Sequence, residues 1–388
     1  MRQYLKLILF FACCFSACTS AKKAPTIPQT GSASGGSNTV WTTDRANNWY
    51  TQQAWLVGGN YTPAYSINQL EFWQQETFDT ARINTELTWA ENIGMNTMRV
   101  FLHDLLYEQD SVSFYNRISQ FLAIANRHHI KIMFVLFDSV WDPFPKLGKQ
   151  REPTPGVHNS GWVQSPGAKA LMDSTQYPRL ERYVKGIVGH YANDTGVVIW
   201  DIWNEPDNPN ASSYGSQEPA NKVLLVNALL ARAFQWARAG NPSQPLTSGV
   251  WKGDDWSKPG NLDATQQIQL NNSDVITFHS YDPPEEFTRR IMSLQPLKRP
   301  IICTEYMARP RNSTFQNALP IGKKYKVGMY NWGFVEGKSQ TNYPWDSWEK
   351  AYTSEPPVWF HDIFRTNGTP YRQEEVDFIK SMTTAGTR

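Results

Sequence analysis

Two glutamates stand where predicted buried strands end. Glu205 lies just beyond the nearly continuous apolar run of residues 197–202, and Glu305 follows the apolar residues 300–304. Short β-rich apolar runs are typical of parallel strands that are covered on both faces. Pro206 has no backbone N–H, which argues against further strand pairing beyond Glu205. A carboxyl group at a rigid strand end can transfer a proton or attack an electrophile, so acid–base or nucleophilic catalysis is the first hypothesis.

Strand-like segments alternate with amphipathic helical patterns from Trp41 onward. Apolar residues recur at helical spacing between the strands, and this alternation indicates parallel βα units. Eight units predict an α/β protein with a single (β/α)8 TIM barrel. The fifth unit has the weakest pattern, because its helical segment is short and polar. The predicted strands cover residues 55–60, 97–102, 131–137, 197–203, 246–250, 274–278, 300–304 and 327–332.

Long loops follow the third and eighth predicted strands. Loop 3, residues 139–166, contains Trp141 and Trp162, and loop 8, residues 333–357, contains Trp345. Loops of this length in a compact domain are usually functional or disordered, and their Trp residues argue against disorder. Flat aromatic faces also stack on the apolar faces of sugar rings. We expect both loops to form walls of a sugar-binding cleft, although packing against the barrel explains any single Trp equally well.

Length and charge narrow the classes of function. The 388 residues, 40% of them hydrophobic, can bury a large core, and we expect one catalytic domain at residues 41–388. A balance of 37 cationic against 35 anionic residues gives no basic face for nucleic acid. Phosphate-binding, zinc, calcium, dinucleotide and serine-esterase motifs do not occur in the sequence. We therefore expect no cofactor and no metal ion, and we expect a monomer.

The first 18 residues have the pattern of a secretory signal. Arg2 and Lys6 precede an apolar run, residues 7–11, that is too short to span a bilayer. Residues 15–18 resemble a bacterial lipobox, which makes Cys18 the predicted lipidated first residue of the mature protein. The alternative is an ordinary signal with incidental cysteines.

A polar, Gly/Ser-rich segment then predicts a flexible tether over residues 19–40. The expected product is an exported lipoprotein, held at the cell envelope by its lipid anchor alone. The periplasmic face is favoured over the cell surface, because Lys22 and Lys23 follow Cys18 without the acidic run of the known surface-export signal.

In a barrel, side chains at the carboxyl ends of different strands converge on one mouth, so Glu205 and Glu305 can face each other. Two facing glutamates are the usual catalytic pair of a glycosidase. In a retaining enzyme the carboxyl groups stand about 5–5.5 Å apart, where one protonates the departing oxygen and the other attacks the anomeric carbon.

Several short motifs occur at the predicted strand ends: Met-Arg-Val at 98–100, Trp-Asn-Glu-Pro at 203–206, His-Ser-Tyr at 279–281, Thr-Glu-Tyr at 304–306, and Trp332. Asn-Glu-Pro alone is a weak signal, but the ordered set resembles glycoside hydrolase clan A and is most similar to family 5, the cellulase and mannanase group. The resemblance covers about residues 41–385. It implies that Glu205 is the general acid/base and Glu305 the nucleophile.

Further strand-end residues are implied to contact the glutamates or the sugar: Arg99, Asn204, His279, Tyr281 and Trp332. Arg99 and Tyr281 are candidates for keeping Glu305 ionised. The resemblance implies that Asn204 binds the sugar 2-hydroxyl and that His279 orients Glu205. It also implies that Trp332 forms the floor of the subsite for the reacting sugar. The structural alternatives are a buried salt bridge for Arg99, a core histidine for His279, and wall positions for the two aromatic residues.

One position departs from the family pattern. Many members place a His just after strand three, where this chain has Asp138. Either Asp138 binds a sugar hydroxyl or His158 reaches in from loop 3, and the sequence leaves both alternatives open.

The expected substrate is a β-linked polysaccharide or its oligosaccharides, such as β-mannan, β-glucan or a related hemicellulose. Cleavage within the polymer is the first expectation, because an aromatic-lined cleft suits several sugars at once. An exo-acting β-mannosidase or β-glucosidase is the alternative, since loops 3 and 8 are long enough to close one end of the cleft. A rival from another class is a tethered, non-catalytic glycan-binding protein.

Overall fold

Eight parallel strands form the centre of the protein in the computed structural model, which describes residues 39–384. The strands are β1 Val57–Asn60, β2 Thr97–Phe101, β3 Lys131–Asp138, β4 Val197–Asn204, β5 Leu246–Thr247, β6 Ile276–His279, β7 Ile301–Tyr306 and β8 Gly328–Asn331. They pair in the order β5-β4-β3-β2-β1-β8-β7-β6. A parallel bridge joins Val250, three residues after β5, to Phe278 of β6. The predicted (β/α)8 barrel is confirmed.

Helices surround the strands: α1 Thr43–Thr51, α2 Gln69–Trp73, α3 Thr80–Asn92, α4 Asp104–Arg127, α5 Ala168–Met172, α6 Tyr177–His190, α7 Lys222–Ala239, α8 Ala264–Asn272, α9 Pro284–Leu294, α10 Phe315–Tyr325 and α11 Gln373–Thr384. Their apolar faces pack on the barrel. In α6, for example, Leu180, Tyr183, Val184 and Ile187 are buried at helical spacing. On α1, Trp49 and Tyr50 pack against a separate apolar cluster that includes Met133 and Ile199 of the strands.

The fifth unit differs most from its prediction. β5 pairs with β4 over only two residues, Leu246 and Thr247, whereas the sequence predicted a strand over 246–250. Ser248 instead donates a 2.8 Å side-chain hydrogen bond to the Trp203 carbonyl. The short polar helix α8 nevertheless forms, because Asp263 and Gln266 make a reciprocal capping box at its start.

The predicted signal, residues 1–18 with Cys18, and residues 19–38 of the predicted tether lie outside the described residues. Within residues 39–384, no helix has both the length and the apolar character required to cross a bilayer.

Candidate active site

Glu205 and Glu305 meet at the carboxyl ends of β4 and β7. Glu305 lies within β7, and Glu205 is the residue that follows β4. One carboxyl oxygen of each glutamate and a ring nitrogen of His279 lie within 4.8 Å of one another. Glu205 adopts a left-handed backbone conformation with φ of 42°, which is unusual for a non-glycine residue and is found preferentially at functional sites. The convergence expected from strand ends is therefore present.

Glu305 is surrounded by groups that favour its ionised form. Arg99 Nη1 donates a 3.0 Å hydrogen bond to Oε1, and the Tyr281 hydroxyl donates a 2.7 Å bond to Oε2. Burial raises the pKa of the Glu305 carboxyl, and the charge of Arg99 and the Tyr281 bond oppose that rise.

Glu205 has a different set of neighbours. Asn208 Nδ2 donates a 2.6 Å hydrogen bond to its Oε2, and His279 Nδ1 lies 3.0 Å from its Oε1. Burial lowers the pKa of His279 to about 4, so this imidazole is neutral at neutral pH. Burial raises the pKa of Glu205 to about 7.

The two carboxyl groups therefore differ in the charge of their neighbours. Among the described residues, Arg99 is a direct hydrogen-bonding cation for Glu305, whereas no cation hydrogen-bonds Glu205. Two carboxylates this close disfavour double ionisation. The shared proton belongs on Glu205 and the negative charge on Glu305.

Arg99 connects Glu305 to the barrel interior. Its Nε and Nη2 donate to Asp201 Oδ2 at 3.0 and 2.8 Å, and its Nη1 also donates to Asn60 Oδ1 at 2.9 Å. Arg99 and Asp201 are both fully buried. The sequence prediction included neither Asp201 nor Asn60. A usable signal was present, since Asp201 is the one charged residue within the apolar strand β4.

Asn204 is fixed from two sides. Its Oδ1 accepts a 2.8 Å hydrogen bond from Arg99, and its Nδ2 donates a 3.0 Å bond to Asp138 Oδ1. The other Asp138 oxygen accepts a 2.6 Å bond from Trp162 Nε1. Burial raises the pKa of Asp138 to about 7. Asp138 therefore positions Asn204 and Trp162.

A cavity of about 500 Å³ lies above the glutamates, a size typical of small-ligand sites. Eight of the predicted residues line it: Trp141, Asn204, Glu205, His279, Tyr281, Glu305, Trp332 and Trp345. Trp332 packs edge-on against Phe101, with ring centroids 5.9 Å apart, and Trp345 packs edge-on against Tyr281 at 5.0 Å.

Three predicted contact residues lie behind the cavity wall instead. Asp138 and Trp162 are 1% and 2% exposed, and Arg99 is fully buried. Asp138 bonds Trp162 and Asn204, so these contacts hold Asp138 and Trp162 behind the wall. Arg99 contacts Glu305, which is the contact that the sequence analysis expected of it. Of the two alternatives at the strand-three position, His158 reaches the cavity and Asp138 does not. The sequence prediction missed Asn159, Asn208 and Trp251, which also line the cavity.

Glu205, His279 and Glu305 are also the one set of carboxylate and imidazole groups in residues 39–384 close enough together to ligate a metal ion. Arg99 and Tyr281 already bind the two oxygens of Glu305. This hydrogen bonding suits the trio to proton transfer and nucleophilic attack.

The parallel barrel with two facing glutamates at its mouth defines a glycoside hydrolase. Residues 58–350 match the family Cellulase (glycosyl hydrolase family 5), and the chain belongs to this family. No curated protein matches the chain.

Solved structures share the fold at low sequence identity. A GH5_18 protein from Bifidobacterium longum subsp. longum ATCC 55813 superposes with a TM-score of 0.57 at 14% identity, covering 86% of this chain and 80% of that one. An exo-β-1,4-mannosidase from Opitutaceae bacterium strain TAV5 gives 0.56 at 16% identity, covering 86% and 59%. An endo-β-1,4-mannanase from Thermotoga petrophila gives 0.53 at 13% identity, covering 86% and 77%.

Proposed function

We propose that this protein is a retaining β-glycosidase in which Glu305 is the nucleophile and Glu205 the general acid/base. The observation that carries the proposal is the approach of the two carboxyl groups to within 4.8 Å. This separation fits the roughly 5–5.5 Å of retaining enzymes and is too short for the water that inverting enzymes place between carboxyl groups about 6.5–9.5 Å apart.

In the first step, Glu305 attacks the anomeric carbon while the protonated Glu205 gives its proton to the glycosidic oxygen. The bond to the leaving group breaks, and a covalent glycosyl-enzyme forms on Glu305. In the second step, the Glu205 carboxylate takes a proton from water as the water oxygen attacks the anomeric carbon, and the bond between that carbon and Glu305 breaks to release the Glu305 carboxylate. The sugar leaves with retained configuration, and both glutamates return to their starting protonation states.

The neighbouring groups support this assignment. Arg99 and Tyr281 stabilise the anionic nucleophile, and the buried site keeps the proton on Glu205. Arg99 and Asp138 hold the Asn204 amide at the cavity, where it is placed to bind the sugar 2-hydroxyl. Trp332 offers an aromatic surface for the reacting sugar.

The proposed substrate is a β-linked polysaccharide or its oligosaccharides. β-Mannosides stand first among the candidates, because structures with this fold include mannanases and mannosidases. β-Glucosides stand second, since mannose and glucose differ at one hydroxyl.

Purified protein incubated with aryl β-mannosides, aryl β-glucosides, β-mannan and β-glucan provides the test. We expect hydrolysis of at least one substrate, with the β-anomer of the product appearing first in the NMR spectrum. Glu305→Gln should abolish turnover, whereas Glu91→Gln, at a half-buried glutamate paired with His128, should not. First release of the α-anomer would overturn the retaining mechanism. Saturable glycan binding without turnover would instead establish the non-catalytic alternative.

We also propose that the enzyme is an envelope lipoprotein anchored through Cys18. Support comes from the signal-like residues 1–18 and the lipobox-like residues 15–18. Cells that express the full chain should hold it in the membrane fraction, and Cys18→Ala should release it. Equal membrane association of both proteins would contradict the anchor.

A further inference from the structure

Loops 3 and 8 are joined above the barrel mouth. The backbone N–H of Asn159 donates a 2.9 Å hydrogen bond to the Ser339 carbonyl. The backbone N–H of His158 donates a 2.9 Å bond to Ser347 Oγ, and its Nδ1 lies 2.8 Å from the Tyr343 carbonyl. These backbone and side-chain hydrogen bonds join loop 3 to loop 8, and we call them the loop bridge.

Two further contacts extend the bridge. Gly156 donates a 2.9 Å hydrogen bond from its N–H to Gln340 Oε1, and its carbonyl accepts a 3.0 Å bond from Tyr352 N. Lys338 N donates a 3.0 Å bond to the Ala64 carbonyl, which follows β1. The bridge therefore closes the cavity on the side of β8 and β1.

On the opposite side, near Trp251, residues 253–255 are exposed, and we call this side the open side. Trp251, which follows β5, lines the cavity and is only partly buried. The neighbouring Asp254 side chain is 90% exposed. Lys252 binds Asp207, two residues after Glu205, at 2.8 Å. The general acid thus stands beside the open side.

The difference between the closed and open sides determines which end of the substrate lies on each side. The acid protonates the oxygen that joins the reacting sugar to the leaving group, so the leaving group lies toward the open side. The reacting sugar then lies toward Trp332 and the bridge. Because the leaving group carries the reducing end, the closed side faces the non-reducing end of the substrate.

The closed side also presents polar groups without protein partners. Asn159 is 1% exposed and lines the cavity, yet neither its Oδ1 nor its Nδ2 has a hydrogen-bond partner in the described residues. The same holds for Trp141 Nε1. Buried polar atoms of this kind are rare in folded proteins. Sugar hydroxyls both donate and accept, so they match the amide and the indole N–H.

His158 adds an acceptor to this set. A carbonyl oxygen can only accept, so Nδ1 carries the proton toward Tyr343. Burial lowers the pKa of His158 to about 4, which keeps the ring neutral and leaves Nε2 as an acceptor.

We propose that the enzyme is exo-acting and removes one sugar at a time from the non-reducing end, with Asn159 and His158 binding the hydroxyls of that terminal sugar. This inference rests on the proposed glycosidase function. It replaces the cleavage within polymers that the sequence predicted, because the loop bridge blocks a chain from continuing past the reacting sugar.

The test uses the 4-nitrophenyl β-glycosides of a monosaccharide and of the matching β-linked disaccharide. We expect nitrophenol from the first compound, and free monosaccharide plus nitrophenyl monosaccharide as the first products of the second. Direct release of intact disaccharide, or a ladder of intermediate oligosaccharides from a polymer, would overturn exo-action while leaving the glycosidase function standing. No cleavage of either compound or of any polymer would overturn both.

Variants test the assignment of the hydroxyl contacts. Asn159→Ala should lower kcat/KM for the aryl monoglycoside about 10–100-fold, as expected for losing one or two sugar hydrogen bonds. Asn159→Gly should give the same loss without backbone strain, since φ at this position is 47°. Asn92→Ala, at an exposed position, is the matched control. Unchanged kcat/KM in both Asn159 variants would refute the role of Asn159.

Discussion

The Tyr281 hydroxyl donates a 2.7 Å hydrogen bond to Oε2 of Glu305, while Arg99 holds Oε1 of the same carboxylate at 3.0 Å. Both oxygens of the proposed nucleophile are therefore engaged by donors. Donors of this kind favour the anion, which counteracts the effect of burial on the pKa.

Tyr281→Phe removes the donor to Oε2 and should raise the pKa of Glu305. Because Glu305 reacts as the anion, the acidic limb of the kcat/KM profile should move to higher pH. At neutral pH kcat should fall roughly 10-fold or more, since a hydrogen bond to a charged group contributes about 1.5–3 kcal/mol. Tyr325→Phe, on the outer helix α10, is the control. An acidic limb at the same pH in both variants would show that Tyr281 does not stabilise the anion.

Glu205→Gln removes the proton donor without changing the size of the side chain. For alkyl or sugar leaving groups, kcat/KM should fall about 10²–10⁴-fold, the usual contribution of general acid–base catalysis. A dinitrophenyl leaving group needs no protonation, so glycosyl-enzyme formation should be far less affected with that substrate. Pre-steady-state release of dinitrophenol measures this step. An equal loss with both kinds of leaving group would argue against Glu205 as the acid.

The basic limb of the kcat/KM pH profile should follow the loss of the proton from Glu205. Its pKa is raised to about 7, so the carboxyl is protonated below that pH and loses its proton as the pH rises through it. Activity should therefore decline through about pH 7.

Lys252→Met should shift this limb to higher pH, because the Lys252 charge lowers the pKa of Glu205 and also pairs with Asp207. Lys185→Met, on the outer helix α6, should leave the limb in place. A shift to lower pH in Lys252→Met would conflict with the assignment.

Arg99→Met should destabilise the fold as well as the site. It leaves the fully buried Asp201 without its cation, and removing one partner of a buried pair typically costs about 3–5 kcal/mol. Adding Asp201→Asn should recover part of the loss. Arg182→Met breaks a surface pair with Glu108, in which the arginine is 61% exposed, and should cost no more than about 1 kcal/mol. Urea unfolding compares the variants. Equal losses for Arg99→Met and Arg182→Met would contradict the buried-pair account.

The sequence carried enough information to predict the barrel and the meeting of the two glutamates. Nearly continuous apolar runs such as residues 197–202 predict strands directly, and parallel barrel topology brings the ends of β4 and β7 to one mouth. β5 was overpredicted, because Ser248 uses its hydroxyl to bind Trp203 rather than continue the strand.

The walls of the site depend on contacts that local patterns do not encode. Asp138 turns away from the cavity because Trp162, far along loop 3, returns to bind it. The placement of His158 depends on Ser347, which is 189 residues away. Neither pairing produces a periodic or motif-like signal, so the sequence alone could not predict where Asp138 and His158 lie.

The most direct test of the central claim is to trap the glycosyl-enzyme. A 2-deoxy-2-fluoro glycoside with a dinitrophenyl leaving group should inactivate the enzyme, because the fluorine destabilises the oxocarbenium-like transition states and slows release more than formation. Peptide mass spectrometry should then place one fluorosugar on Glu305. A label on Glu205 or on any other residue would contradict the assignment of Glu305 as the nucleophile.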